Sequence, residues 1–330
     1  HEYRGPGYEL TYTESGDTRT RLLWNASVDA VRLERPEDRP AMQCTPLTAG
    51  ESSFIVDFAD IDRLSVVEPP AERYTAGVET PSEEATVLCR LAEVKPEAVS
   101  VSSLVALLDR EFESMFGEKR AVRAVRHVAA VRAEDCLPVV PALISRLTND
   151  STATPEVLGT LKHIGTAEPK EIAPLADDIE PYLDATNVTA RREATRCFAT
   201  IADAYPDDVI TAVPALAKII EDKADRWEYA VRALSRLAAE HPGPVKPAVD
   251  PLQAVALDES AAETVRMEAS AGFGRVAKES PKIAVDIVDD IVALSESEHY
   301  RLRNNAAALV YDIAATHTDA VEPYSEDIAA

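Results

Sequence analysis

The sequence predicts a mainly α-helical chain: a solenoid of about seven two-helix repeats at residues 82–330, preceded by a small antiparallel β domain at residues 1–75. Three observations predict it. Hydrophobic residues alternate near the start of the chain and then adopt helical spacing from about residue 82. An apolar dipeptide recurs beyond that point at an almost constant interval. The 46% hydrophobic residues include only 5% aromatics, so Ala, Val, Leu and Ile must build the core, as they do in packed helices.

In the first 75 residues, "YELTYTES" alternates apolar and polar side chains up to the turn "SGD". "RLLW", "VDAVRLE" and "FIVDF" continue as short β-favouring runs separated by Pro and Gly. The proline- and glycine-bearing stretch "EPPAERYTAGVETPS" then reads as a connection, with the linker proper at 76–81.

The repeat is defined by its anchors: Leu91-Ala92, Val128-Ala129, Ile164-Gly165, Ile201-Ala202, Leu237-Ala238, Val276-Ala277 and Ile313-Ala314. They are spaced by 37, 36, 37, 36, 39 and 37 residues, a fixed period of the kind that marks stacked units. Three residues before each anchor, on the same helical face, stand Leu88, Val125, Leu161, Phe198, Leu234, Phe273 and Val310. Seven residues before the last six anchors come Ala121, Val157, Ala194, Ala230, Ala269 and Ala306, compact side chains that let helices approach. Fifteen residues after those anchors, Leu143, Ile179, Leu216, Leu252, Ile291 and Ile328 mark the core of a second helix. Each unit is therefore helix, loop, helix.

On this register "RREATRCFATIADAYPDDVITAVPALAKIIED", "RWEYAVRALSRLAAEHPGPVKPAVDPLQAVALDE" and "RNNAAALVYDIAATHTDAVEPYSEDI" resemble successive HEAT repeats, especially the short HEAT-like repeats of phycobilisome lyases. The resemblance covers residues 82–330 and implies a right-handed solenoid that binds partners on the concave side lined by its second helices. A lyase-type enzyme is one activity it implies, although no lyase motif is present to carry residues over. Tetratricopeptide repeats, with a period of 34 and a Trp/Leu-Gly/Tyr pattern, fit less well.

Asp150, Asp184, Asp222 and Asp258 close four units just before the next first helix, where a carboxylate caps backbone N–H groups. Arg191, Arg226, Arg266 and Arg303 follow and are expected to pair with these or neighbouring carboxylates. The last unit runs into "SEDIAA" within its second helix, which predicts either a longer array or a partner over that end.

Catalytic signatures are missing. There is no P-loop, G-x-S-x-G, H-E-x-x-H or EF-hand loop. "GFGRVA" places Gly272 and Gly274 inside a first helix with no strand before it, which points to close helix packing. His127 and His163 occupy equivalent places one unit apart, as do His241 and His317 two units apart, and are expected as solvent-facing side chains. Cys44, Cys89, Cys136 and Cys197 form no Cys-x-x-Cys pair, so neither zinc site nor disulfide framework is indicated. The acidic pairs Asp177-Asp178, Asp207-Asp208 and Asp289-Asp290 nominate no general acid and base in so acidic a chain. The expectation is a protein that is not an enzyme and takes no cofactor and no metal.

The chain holds 58 acidic and 34 basic residues, only nine of the latter lysine, for a net charge of -24. The imbalance resembles the proteomes of salt-loving archaea, and in molar salt it is a solvent adaptation rather than a steering field. No run of eighteen apolar residues predicts a membrane segment. With no signal peptide visible, the cytoplasm is the expected location; the sequons at Asn25, Asn149 and Asn187 and the start at His1 keep an exported protein open.

One stretch departs from the acidity. "EKRAVRAVRHVAAVRAED" carries five cations between Lys119 and Arg132 and no anion. On a helical wheel Lys119, Arg123 and Arg126 point away from the buried Ala121, Ala124, Val125 and Val128, as an exposed basic ridge. Its Arg123 position recurs at Arg196 and Arg232 but becomes Gly159, Ala271 and Ala308 elsewhere, so no continuous phosphate track forms and nucleic acid is not the expected partner. The second helices carry Asp177, Asp178, Glu180, Glu221, Asp286, Asp289 and Asp290, the expected partner-binding set. The function expected is a non-catalytic protein–protein scaffold or adaptor, within a larger assembly or alone. Nucleic-acid or phosphate binding through the ridge is the first alternative and a lyase-type enzyme the second.

Overall fold

The computed structural model describes residues 7–27, 41–46, 54–57, 60–67, 80–147 and 151–324, in two compact units, 1–168 and 169–330. In the first unit, β1 (Gly7–Glu14), β2 (Asp17–Ser27), β3 (Ala41–Pro46), β4 (Phe54–Asp57) and β5 (Ile61–Val67) form one antiparallel sheet in the order β4-β3-β2-β1-β5. The β1–β2 turn is Ser15-Gly16, both at positive φ (55° and 92°), the left-handed geometry that a two-residue hairpin requires. Alternation sends Leu10 and Tyr12 to one face, buried along with Leu23, Val56, Ile61 and Leu64. "VDAVRLE" and the 76–81 linker lie outside the described residues apart from the linker's last two positions.

The sheet rests on the first helical pair. Leu64 of β5 bridges in parallel to Val99, and Asp62 accepts a bond from Lys95 at 3.3 Å. That pair is α1 (Pro81–Val94) and α2 (Val101–Leu108), followed by α3 (Met115–Ala129), α4 (Val140–Ile144) and α5 (Thr154–Ala167).

The second unit contains α6 (Pro169–Ile172), α7 (Ala176–Ile179), α8 (Val188–Ala202), α9 (Val213–Glu221), α10 (Glu228–Glu240) and α11 (Pro242–Val245). It continues through α12 (Val249–Leu257), α13 (Glu263–Glu279), α14 (Pro281–Ser295), α15 (Tyr300–Thr316) and α16 (Thr318–Val321).

Every anchor falls in a long first helix: α1, α3, α5, α8, α10, α13 or α15. The leading anchor residues and the residues three before them are all buried, as are those from Ala121 to Ala306 seven before. Leu143, Ile179, Leu216, Leu252 and Ile291 are buried in second helices; Ile328 lies outside the described residues.

The helix ends have a common chemistry. Lys95, Tyr205, His241 and Ser280 each precede a proline, which bars them from helical backbone and turns the chain. At Lys95, Tyr205 and His241 the N–H donates at 2.7 Å to the carbonyl of the anchor residue four positions back. Prolines also divide the second helices. Pro138 sits within a 3-10 turn at Glu134–Val139 ahead of α4, and Pro174 and Pro181 fall in 3-10 segments on either side of α7, because proline has no N–H to extend an α-helix. Helix α14, with proline only at its first position, runs 15 residues unbroken.

Three of the repeat arginines bond to carbonyls instead of the expected carboxylates. Arg191 donates to Ala185 O at 3.1 Å, Arg266 to Ala256 O at 2.9 Å and Arg303 to Ser297 O at 2.6 Å, tying each first helix to the carbonyls that precede it. Nor do Asp184 and Asp258 cap the helices that follow them. Asn187 caps α8, while Asp184 pairs with Lys218 and Asp258 with Lys223 and Ser260; Asp150 lies outside the described residues. The glycines of α13 do serve close packing. A Cβ on Gly272 would sit 3.3 Å from Ser235 Cα, and one on Gly274 would fall inside the Leu309 side chain.

Candidate interaction surfaces

Two of the three ridge cations are engaged with a neighbouring helix. Arg123 Nη2 and Nε lie 2.6 and 3.0 Å from Glu156 Oε1, and Arg126 Nη1 lies 3.0 Å from Glu156 Oε2. Glu156 is on α5, the first helix of the next repeat, and only 8% of it is exposed. Lys119, Arg123 and Arg126 are all half-buried, so the exposed ridge expected from the helical wheel is not formed. A wheel shows one helix alone; here the adjacent helix covers the flank that carries the cations. Gly159 takes part, since a Cβ there would come within 2.5 Å of the Arg126 Cζ. The residue that interrupts the arginine series thus leaves room for the previous repeat's guanidinium. Burial acts to raise the Glu156 pKa, but hydrogen bonds and charge from Arg123 and Arg126 outweigh it and hold the carboxyl below its ordinary value.

The same register operates in the second unit. Glu193, 1% exposed, is flanked by Arg192 and Arg196 at 3.6 and 3.1 Å. Arg196 also lies 5.5 Å from the Tyr229 ring centre, on the following first helix, a cation–π contact. Glu268, the corresponding residue of α13, is pushed up by burial, against the lowering influence of Arg232 and Arg236. Both arginines also pair with Asp203. The residue five before the anchor therefore reaches the residue eight before the next anchor. Sequence reading found Arg123, Arg196 and Arg232 but missed Glu156, Tyr229 and Glu268, whose spacing of 33 to 36 residues from them was the available signal.

The acidic set is disposed differently. Asp177, Asp178, Glu221, Asp286 and Asp289 are exposed. Asp286, Asp289 and Asp290 share a flank of α14 by their spacing. Glu180 and Asp290 are half-buried: Glu180 accepts from Thr211 Oγ1 at 2.6 Å, and Asp290 accepts from Gln253. At the start of α3, Met115 and Phe116 are 60% and 71% exposed, an apolar pair that the sequence reading did not single out.

Two shallow clefts of about 500 and 350 Å³ adjoin Arg132 and Asp135, the larger also lined by His163 and Thr166. Arg132 spends its Nη2 on the carbonyls of Pro96 and Val99, at 3.2 and 2.6 Å, and so secures the loop that meets the sheet. His127 is half-buried rather than solvent-facing, and burial lowers its pKa; His241 pairs with Asp207. Among the described residues no three His, Cys, Asp or Glu side chains cluster as metal ligands, and no helix is long and apolar enough to cross a membrane.

The fold has solved counterparts. An engineered protein from the Northeast Structural Genomics Consortium superposes with a TM-score of 0.62 at 23% identity, covering 74% of this chain and 67% of its own. A second engineered protein gives 0.55 at 23% identity, over 65% of this chain and 96% of its own. UNC-45 from Drosophila melanogaster gives 0.58 at 18% identity over 72% of this chain. The chain folds as a helical-repeat protein. It spans about a third of UNC-45, 35% of that chain, and at these identities the likeness concerns the helical-repeat fold alone. No protein-family model and no curated protein matches the sequence.

Proposed function

We propose that the chain is a non-catalytic protein–protein scaffold or adaptor built on about seven HEAT-like repeats, working in the salt-rich cytoplasm of a halophilic archaeon. The observation that carries this reading is the contrast between its two sets of charges. Arg123 and Arg126 are committed to Glu156, whereas Asp177, Asp178, Glu221, Asp286 and Asp289 remain exposed on the second helices. Phosphate binding needs cations free to displace counterions, so the clamp supports the protein-binding reading over the nucleic-acid one. Helical-repeat arrays present extended surfaces suited to protein partners, and the fold likeness to UNC-45 agrees with a scaffold-type architecture. Partners in this reading present basic and apolar groups to the second helices, with the β domain offering a second contact.

The test is affinity capture from native extract at native salt, comparing wild type with the variant Asp177→Lys/Asp178→Lys/Asp286→Lys/Asp289→Lys. A stoichiometric protein lost from the variant supports the reading. Nuclease-sensitive nucleic acid without protein, captured equally by both, overturns it.

A further inference from the structure

The larger of the two clefts beside Arg132 sits where the repeat register is broken. Five residues after the anchor stand Pro96, Pro169, Pro206, Pro242, Pro281 and Thr318, and in each of those repeats a helical or 3-10 segment begins at that residue. The repeat anchored at Val128 has Ala133 there instead, and its 3-10 segment begins one residue later, at Glu134. This longer turn borders the cleft of about 500 Å³ between the C-terminal ends of α3 and α5. Its size falls within the range of ligand sites, about 300–1,000 Å³.

The lining is of two kinds. Ala130, Val131, Ala133 and Ala167 supply apolar surface, and Val131 is 65% exposed. In the five repeats that follow, the place of Val131, three residues after the anchor, is taken by Ala167, Ala204, Glu240, Glu279 and Thr316. A branched aliphatic side chain thus lies in water at a turn where those repeats carry small or polar ones, and covering it is favourable. Glu134 and Asp135 supply the charge, and both are exposed. Glu134 has no hydrogen-bond or ion-pair partner among the described residues, and Asp135 lies 3.7 Å from Arg132 Nη1, too far for a hydrogen bond. Arg132 itself is held by its Nη2 bonds to the carbonyls of Pro96 and Val99. The negative ends of α3 and α5 meet at the same cleft, which adds to its attraction for a cation.

We propose that this cleft receives an arginine side chain of a partner protein. Such a side chain matches both kinds of lining, because its methylene stem covers Val131 and the alanines while its charged head meets Glu134 and Asp135. The guanidinium is planar, weakly hydrated and has five donors, so one group can bond both carboxylates; a lysine ammonium is more strongly hydrated and gives up its water less readily. An anionic ligand would face two carboxylates and two helix C-termini. A wholly apolar one would cover Glu134 without giving it a partner. The inference rests on the scaffold reading only for the source of the side chain, since none of the cleft residues belongs to the acidic second-helix set.

The test is a titration of the full chain with the tripeptide acetyl-Gly-Arg-Gly-amide in about 0.1 M salt, where charges beyond about 10 Å are screened, read by NMR at the Val131 methyl groups. The expected result is a saturable shift with a dissociation constant of about 1 mM, in keeping with so small a ligand. The same tripeptide with norleucine in place of arginine keeps the stem and loses the charge, and should bind about tenfold more weakly or worse. Glu134→Gln should raise the constant about fivefold and Val131→Ser about threefold. Both positions are exposed, so each variant should melt as the wild type does. The four-lysine variant of the second helices should bind the tripeptide within about twofold of wild type, which separates this result from that of the affinity capture. No saturable shift at Val131, equal binding of the norleucine peptide, or constants unchanged in both cleft variants would each overturn the proposal. So would loss of binding in the four-lysine variant, which would place the arginine on the second helices.

Discussion

Arg123 on one first helix and Glu156 on the next meet at 2.6 Å, with the carboxylate nearly buried. Glu156→Gln is expected to destabilise the protein by about 2 kcal/mol, since it weakens charge-assisted hydrogen bonds and leaves two guanidinium groups poorly matched. The effect has a pH signature. The folded pKa lies below the ordinary 4.5, so the stabilisation is full above that value and disappears as pH falls through the folded pKa. Urea titrations should show wild type and variant converging in acid.

Glu84 makes the opposite case. It pairs with Arg110, yet burial outweighs the arginine and raises its pKa above 4.5. A raised carboxyl favours folding when protonated, and that advantage is lost as pH rises through the folded pKa. Glu84→Gln should therefore cost less than Glu156→Gln at pH 7, with the difference narrowing below pH 4.5. Equal costs at both pH values would contradict the assignment.

Gly274 and Leu309 form a matched contact between α13 and α15. Gly274→Ala should cost about 1–3 kcal/mol by overpacking, because its new methyl occupies the space of the isobutyl group. The double variant Gly274→Ala/Leu309→Ala should be less destabilised than the sum of the singles, with a coupling of about 1 kcal/mol in a thermodynamic cycle.

The arginines that tie first helices to preceding carbonyls differ in burial. Arg266 is 6% exposed, whereas Arg303 lies in the open. Arg266→Met should cost about 1.5–3 kcal/mol, the range for a hydrogen bond from a charged group, and Arg303→Met well under that. Thermal melts of the two variants check the order.

A net charge of -24 opposes compaction. Raising sodium chloride from about 0.1 to 1 M shortens the Debye length from about 10 to 3 Å, so the melting temperature should rise across that range. A falling melting temperature would show that attractive ion pairs outweigh the repulsion.

The helical register was legible because it is local. Leu234 and Leu237 lie one turn apart, and no knowledge of neighbours is needed to place both inside. The hairpin at Ser15-Gly16 was legible for the same reason. Arg123 shows the limit: its own helix directs it outward, and only the stacking of α5 on α3 turns that flank into a half-buried one. The broken second helices were foreshadowed by Pro138, Pro174 and Pro181, whose missing N–H groups forbid one continuous α-helix. Among the candidate site residues, the exposure of Asp177 and Asp286 was legible from the apolar periodicity around them. The tie of Glu180 to Thr211 was not, since it joins successive repeats 31 residues apart.

That short reach has a kinetic corollary. The bonds joining successive repeats span 29 to 40 residues: 29 from Arg232 to Asp203, 33 from Arg123 to Glu156 and 40 from Arg275 to Ser235. Chains dominated by such near-neighbour closures search little conformational space before each contact forms, and they fold fast for their length. The sheet is the exception, because β1 must find β5, pairing Gly7 with Val67 across the whole domain. The helices should therefore form early, and the closing of the sheet should set the slowest step in the first unit's assembly.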